Sequence, residues 1–178
     1  MNSFLSKEES SFYLNEGYLV RENQFSIHEV NSLRDALERA VNNAQEKAPN
    51  GKVYYLDEKK FVDVDYMTLQ YEPQPSDNIL KVIEPAHFLD KELYSLTQDK
   101  RITDPIRSIL KEDEISLWTD KLNLKRPGSG SGFGWHQDSP YWVHDSRNVD
   151  LLPNVYLSLD DANEDNGCFR VIRASHKE

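Results

Sequence analysis

The sequence predicts an α+β fold, mainly β, in which N-terminal helices pack on one side of a β-barrel. Ser6 and Ser26 each stand three residues before a glutamate, which is the spacing of a helix capping box. From Ile115 onward, polar and apolar residues alternate, and the connections are rich in Gly, Pro, Asn and Asp. The helical and the β patterns therefore occupy different parts of the chain.

Two helices are predicted near the N-terminus. The first begins after Ser6 and ends near Gly17, a residue type that suits the left-handed conformation after a helix. A short strand over residues 17–20 follows. The second helix begins after Ser26 and carries apolar residues at the spacing of one helix face. These residues are Val30, Leu33, Leu37 and Val41.

The middle of the chain predicts strands followed by two more helices. Aromatic and β-branched residues favour strands over 53–56, 61–70 and 79–85. The helices are predicted over 90–98 and 104–110. Pro105 would then lie in the first turn of the second helix, where its missing N–H has no cost. In the alternating region, the strand candidates are Ile115–Trp118, Lys121–Lys125, Val155–Leu159 and Cys168–Ile172.

Composition limits the classes of function. The 178 residues, 38% of them hydrophobic, suit one folded domain. A net charge of −10 argues against a nucleic-acid partner, which would require a basic surface. The single cysteine, Cys168, excludes an internal disulfide, and we expect it in the core of a cytoplasmic protein. No apolar stretch predicts a membrane span, and the first residues do not resemble a signal peptide.

The most informative motif is Trp135-His136-Gln137-Asp138. On a strand, residues two positions apart point to the same face, so the side chains of His136 and Asp138 would converge. An imidazole and a carboxylate are two of the three ligands in the triad that holds non-haem Fe(II). Alone, the pattern is common, and such residues are more often exposed polar side chains.

The surroundings of this motif favour a site. The segment 127–134 is rich in glycine, which allows close approach of the backbone, although such a segment can also be a simple flexible turn. Tyr141 and Trp142 follow the motif, and their rings can exclude water from a reactive centre. Both features are compatible with a metal site at His136 and Asp138.

Six segments appear in an order that resembles one enzyme family. They are Phe12–Val20 with the helix after it, Leu124–Gly128, Trp135–Asp138, Tyr156–Ala162, Asn166–Cys168 and Ser175–His176. Together they resemble the phytanoyl-CoA dioxygenase family of Fe(II)/2-oxoglutarate-dependent oxygenases, over nearly the whole chain. Two positions depart from the family pattern: Tyr156 stands where Trp is frequent, and Ala174 where Gly is usual.

The resemblance implies a double-stranded β-helix, that is, a jelly-roll or cupin-like barrel with N-terminal helices packed on it, here missing its C-terminal strands. Residues 1–178 would form a single, incomplete oxygenase domain. Residues 1–114 would be the helical and strand region, and residues 115–178 the first part of the barrel. The implied reaction is hydroxylation of a small organic substrate, with Fe(II) as the cofactor and 2-oxoglutarate as the co-substrate.

By this resemblance, His136 and Asp138 are metal ligands. The family's third histidine ligand and its arginine anchor for 2-oxoglutarate lie beyond the Ser175–His176 segment and are not in this sequence. Lys125 is a candidate for contact with 2-oxoglutarate, and its alternative is a solvated lysine. Candidates for contact with the substrate or with the ligands are Trp135, Tyr141, Trp142, Tyr156 and His176.

The other histidines and two arginines have simpler interpretations. His144 lies on a predicted loop, and His28 and His87 are expected to be surface or packing residues. Arg170 and Arg173 can pair with a dicarboxylate, but they are more often solvated strand residues.

Three hypotheses for function stay open. The first is an oxygenase of which residues 1–178 alone are catalytically incompetent and self-associate through unfinished barrel edges. The second is a non-catalytic binding module of the same fold, which would use the Tyr141-Trp142 loop to hold a ligand. The third is a cupin-type metalloenzyme that uses His136, Asp138 and His176 without 2-oxoglutarate.

Overall fold

The computed structural model describes residues 3–128 and 130–177. The chain forms two compact units, and each unit uses residues from both sides of position 115. The sheet unit contains Phe25–Gln98 and Ser116–Gly132. The terminal unit contains the chain up to Gln24, the segment Asp99–Ile115, and the chain from Phe133 onward.

A five-stranded antiparallel sheet forms the centre of the sheet unit, with its strands in sequence order. The strands are β1 (Lys52–Leu56), β2 (Lys59–Val64), β3 (Met67–Tyr71), β4 (Leu80–Glu84) and β5 (Leu122–Asn123). Alternate residues of β3 are buried, because successive side chains of a strand point to opposite faces. In the pairing of β3 with β4, Leu69 lies opposite Ile83, and both side chains are fully buried.

Helix α2 (Ile27–Lys47) belongs to the sheet unit and contributes to its core. Its predicted start is confirmed: the Ser26 backbone N–H donates to the Glu29 carboxylate at 2.8 Å, and the Glu29 backbone N–H donates to the Ser26 hydroxyl. Of the predicted apolar face, Leu33 and Val41 are buried, whereas the other two residues are only partly buried. The buried face also contains three small residues that the apolar pattern did not include, Ala36, Ala40 and Ala44.

The remaining helices are shorter. They are α1 (Lys7–Glu16), α3 (Lys91–Leu96), α4 (Lys100–Leu110) and α5 (Ser139–Trp142). Helix α1 has the predicted capping box at Ser6 and ends at Gly17, whose φ of 81° is left-handed. Single 3₁₀ turns occur at Ala48–Asn50, His87–Leu89, Val149–Leu151, Glu164–Asn166 and Ser175–Lys177.

The predicted position of Pro105 is wrong. Helix α4 begins at Lys100, because the side chain of Asp99 accepts the backbone N–H of Arg101 at 2.8 Å and caps the helix there. Pro105 is therefore inside the helix, and its missing N–H leaves the carbonyl of Arg101 without its usual intrahelical donor. Asp99 and Asp104 both suit a helix start, and the tertiary structure uses the earlier one.

Several predicted strands are not strands in the structure. Residues 17–20, 115–118, 155–159 and 168–172 have no strand assignment, and in the described part of the alternating region only β5 pairs into the sheet. Alternation makes a segment suitable for a strand, but a strand also needs the backbone groups of a partner. The 155–159 and 168–172 segments meet through side chains instead, since Tyr156 stacks on Phe169 with ring centroids 5.0 Å apart.

No helix in the described part of the chain has the length and apolar character that crossing a membrane requires.

The core position Leu69 gives the first prediction. Leu69 is 0% exposed, and Leu69→Ala should lower the free energy of unfolding by about 2–5 kcal/mol because it leaves a cavity between strands. Leu56→Ala is the matched control, since Leu56 is 60% exposed at the end of edge strand β1. Urea unfolding of both variants measures the difference, and equal losses would contradict the placement of Leu69.

Candidate metal centre

The structure brings the side chains of His136 and Asp138 together in the terminal unit. His136 Nε2 lies 3.3 Å from Asp138 Oδ1, and the two side chains are 42% and 46% exposed. The reason given by the sequence pattern is wrong, because neither residue is in a strand. Asp138 has helical backbone angles, φ −75° and ψ −29°, directly before α5. A turn therefore produces the convergence that a strand was expected to give.

The backbone of Gly134 orients the imidazole. His136 Nδ1 lies 2.7 Å from the carbonyl oxygen of Gly134, and a carbonyl only accepts, so Nδ1 carries the proton. In the neutral ring, Nε2 then has a lone pair directed at a carboxylate oxygen. Two such acceptors at this distance need a proton or a cation between them. Ligand atoms about 2.1 Å from one metal ion are on the order of 3 Å apart, so this pair suits a metal.

Two further contacts hold this pair. The side-chain amide of Asn154 donates to Asp138 Oδ2 at 2.8 Å, which leaves Oδ1 facing the imidazole. The ring of Tyr141 meets the ring of His136 edge-on, with centroids 5.9 Å apart. Sequence reasoning placed Tyr141 beside the motif but did not identify Asn154, which lies 16 residues after Asp138.

Three of the four aromatic candidates are exposed. Trp135 is exposed, and the guanidinium group of Arg170 lies over its ring at 5.7 Å. Tyr141 and Tyr156 are also exposed, whereas Trp142 is partly buried. In the part of the chain that the structure describes, these rings therefore do not seal the pair from water.

His176 does not join the two ligands. Its Nε2 lies 3.1 Å from the carbonyl oxygen of Leu14, at the end of α1. Within residues 3–128 and 130–177, no group of three or more His, Cys, Asp or Glu side chains could hold a metal ion. The three-ligand arrangement of His136, Asp138 and His176 that the cupin-type hypothesis needs is therefore not formed by the described residues.

The other candidates differ in exposure and contacts. Lys125, His28 and His144 are exposed. His87 Nδ1 lies 2.6 Å from Asp120 Oδ1, which agrees with its expected packing role. The expected core position of Cys168 is wrong, because this residue is only partly buried. Ser129 of the glycine-rich segment lies outside the described residues.

A buried polar cluster in the sheet unit was not predicted. Glu72 and Lys81 have side chains that are each 4% exposed, and their charged atoms are 3.8 Å apart. Ser131 of the glycine-rich segment joins them: its backbone N–H and its hydroxyl both donate to Glu72 Oε2, at 2.9 and 2.6 Å. Lys81 Nζ donates to the Ser131 hydroxyl oxygen at 2.5 Å. The cluster fastens the glycine-rich segment to the sheet.

Burial and nearby charges in this cluster shift the pKa of Lys81. Burial lowers the pKa of Lys81, the Glu72 carboxylate opposes that shift, and the nearby positive charges of Lys59 and Lys125 reinforce it. The only sequence signal for the cluster is a lysine among the apolar residues Leu80, Val82 and Ile83 of strand β4.

The chain is similar to known dioxygenases. Residues 13–178 match the model of the phytanoyl-CoA dioxygenase (PhyH) family. The chain belongs to this family. It is 26% identical to an ectoine dioxygenase of Bordetella bronchiseptica over 175 residues. These residues cover 98% of this chain and 50% of that relative. The chain thus spans about half the length of that relative.

Two other relatives extend the comparison. A phytanoyl-CoA dioxygenase domain-containing protein 1 homolog of Caenorhabditis elegans is 24% identical over 182 residues, which cover 92% of this chain and 62% of the relative. A 2-aminoethylphosphonate dioxygenase of an uncultured bacterium is 34% identical over 71 residues, which cover 40% of this chain and 26% of the relative. All three relatives have the word dioxygenase in their names.

The backbone of Ala174 gives a physical meaning to the departure from the family's glycine. Ala174 has a φ of +60°, in the left-handed region that favours glycine. We expect Ala174→Gly to raise the free energy of unfolding by about 0.5–1 kcal/mol because it removes this strain. Ala162→Gly is the control, because Ala162 is exposed and has no positive φ, so the change should not stabilise. Thermal unfolding compares the two, and no gain for Ala174→Gly would contradict the prediction.

The buried cluster gives a prediction about charge. Lys81→Met should cost about 3 kcal/mol of unfolding free energy, because Glu72 is left as a buried carboxylate without its cation. Adding Glu72→Gln should restore part of the loss, since the amide oxygen still accepts from Ser131. Lys59→Met, at an exposed position, is the control and should change stability by about 0.5 kcal/mol or less. Urea denaturation measures the parent chain, Lys81→Met, Glu72→Gln alone, the double variant and Lys59→Met, and strictly additive losses would disprove the coupling.

Proposed function

We propose that this chain supplies two of the Fe(II) ligands, His136 and Asp138, of a 2-oxoglutarate-dependent dioxygenase that hydroxylates a small organic substrate. One observation carries the proposal: Nε2 of His136 lies 3.3 Å from Asp138 Oδ1. One imidazole and one carboxylate are two of the three donors of the facial triad, and the pair lies inside the family match. Bound Fe(II) would supply the activation of oxygen for hydroxylation, with 2-oxoglutarate as the reductant.

The residues of the chain would prepare the two ligands and take no part in proton transfer. The carbonyl of Gly134 keeps the proton on Nδ1 of His136, so that Nε2 is available to a metal. Asn154 holds the outer carboxylate oxygen of Asp138, which restricts rotation of the group. Partners of this kind typically change metal affinity by 10- to 100-fold, so both contacts support the assignment.

The remaining assignments belong to the same proposal. The five-stranded sheet would be part of the jelly-roll barrel of the family. Lys125, an exposed residue of the sheet unit, stays a candidate for contact with a carboxylate of 2-oxoglutarate. Trp135, Tyr141, Trp142, Tyr156 and His176 stay candidates for contacts with the substrate or around the ligands.

The names of two relatives support the substrate class. One is called an ectoine dioxygenase and another a 2-aminoethylphosphonate dioxygenase, and both names refer to small organic molecules. The exposed rings of Trp135, Tyr141 and Tyr156 provide apolar surface in the terminal unit for such a molecule. We therefore extend to this chain a small organic substrate, without choosing between those two compounds.

Removal of the imidazole tests the metal assignment. His136→Ala should weaken Fe(II) binding at least tenfold under anaerobic conditions, as measured by equilibrium dialysis, because one of two ligand atoms is lost. His144→Ala is the matched control, since His144 is an exposed histidine of the same unit and should leave the affinity unchanged.

The same titration tests the role of the co-substrate. Addition of 2-oxoglutarate should tighten Fe(II) binding, because a second molecule on the same ion makes the two binding equilibria cooperative. Full Fe(II) affinity in His136→Ala would contradict the ligand assignment. Fe(II) binding that depends on His136 but is indifferent to 2-oxoglutarate would contradict only the co-substrate.

A further inference from the structure

We propose that Gln137 is a positioning residue for the His136 and Asp138 pair. Its side chain ties the turn between them to the segment Arg173–His176, which we name the clasp. The clasp is in turn fastened to the end of helix α1. This inference rests on the proposed function, and it assigns a role to the middle residue of a motif whose outer residues hold the metal.

The first link is one hydrogen bond from the motif. The side-chain amide of Gln137 donates to the backbone carbonyl of Ser175 at 2.9 Å, across 38 residues of sequence. Gln137 is joined by peptide bonds to both proposed ligands, His136 and Asp138. Restraining its side chain therefore restrains the backbone angles that aim His136 Nε2 at Asp138 Oδ1.

The second link joins the clasp to α1 through Glu16. The guanidinium group of Arg173 donates to both carboxylate oxygens of Glu16, and the Nη2–Oε1 distance is 2.7 Å. The backbone N–H of Ala174 donates to the Glu16 carbonyl at 2.8 Å. The Glu16 side chain is only 12% exposed, and its hydrogen bonds with Arg173 lower its pKa. A bidentate pair fixes orientation as well as distance.

The third link fills the space over Gly17. His176 Nε2 donates to the carbonyl of Leu14 at 3.1 Å, and its ring lies where a side chain on Gly17 would be. A Cβ atom added at Gly17 would lie 2.3 Å from His176 Nδ1. The last carbonyls of a helix lack intrahelical donors, and here the clasp supplies donors to two of them, those of Leu14 and Glu16.

These links make one connected path within the terminal unit, from the end of α1 through the clasp to Gln137. Three stretches that are distant in sequence, 14–17, 137 and 173–176, therefore restrain the same turn. Asn154 restrains Asp138 separately through its own hydrogen bond. Loss of the Gln137 side chain should therefore make the orientation of His136 towards Asp138 less fixed, while both proposed ligands stay present.

Replacement of Gln137 tests this path. Gln137→Ala should weaken Mn(II) binding about tenfold, measured by broadening of the His136 imidazole resonance, with those of His28 and His144 as internal references. Gln24→Ala is the matched control: the Gln24 amide also donates to a backbone carbonyl, that of Glu22, at 2.9 Å. The control should bind Mn(II) like the parent chain, and both variants should have the parent's unfolding midpoint in urea.

A double-mutant cycle separates positioning from general destabilisation. Arg173→Gln alone should weaken Mn(II) binding about threefold, because it loosens the clasp at Glu16. In the Gln137→Ala background the same change should have no further effect, since the clasp then no longer reaches the turn. Independent effects of the two substitutions on affinity would overturn the proposed path.

The outcomes also distinguish the two proposals. If His136→Ala abolishes Mn(II) binding while Gln137→Ala binds like the parent, the positioning role is wrong and the ligand assignment stands. If the parent chain binds no Mn(II) at His136, the ligand assignment fails. A metal-free measurement then decides the positioning role: the nuclear Overhauser contact between the His136 ring and the Asp138 β protons should weaken in Gln137→Ala and persist in Gln24→Ala.

Discussion

The proposed metal site depends on one hydrogen bond, from His136 Nδ1 to the carbonyl of Gly134. That bond decides which ring nitrogen carries the proton, and so it decides whether the imidazole presents a lone pair or a donor to Asp138. With the lone pair exposed, two acceptors face each other at 3.3 Å, an arrangement that a proton or a cation stabilises. Without that bond, the same two side chains would be an ordinary exposed pair.

The two units restrain their polar residues by different means. In the sheet unit, Glu72, Lys81 and Ser131 form a cluster excluded from water, where each hydrogen bond is costly to lose. In the terminal unit, the contact from Gln137 to Ser175 is exposed, and in the proposal above it is one of several linked contacts. Buried hydrogen bonds restrain Ser131 of the glycine-rich segment, whereas in our proposal a series of exposed contacts restrains the turn at Gln137.

Features that depend on neighbouring residues were predicted well. The capping boxes at Ser6 and Ser26 and the left-handed Gly17 are confirmed, because each is fixed within a few residues of chain. The family membership is also confirmed, since it depends on the order of short motifs. The position of Pro105 and the strands after residue 123 were wrong, because each needed a choice among alternatives that the local pattern allowed equally.

The sequence by itself determined the starts of α1 and α2, the residue types of the proposed ligand pair, and the family. The tertiary structure alone decided that His136 and Asp138 meet on a turn, that Asn154 donates to Asp138 and Gln137 to Ser175, and that Lys81 is buried against Glu72. The physical reason is the range of the forces involved. Capping and periodicity act over one or two turns of chain, whereas strand pairing, burial of charge and long-range hydrogen bonds exist only when distant segments are brought together.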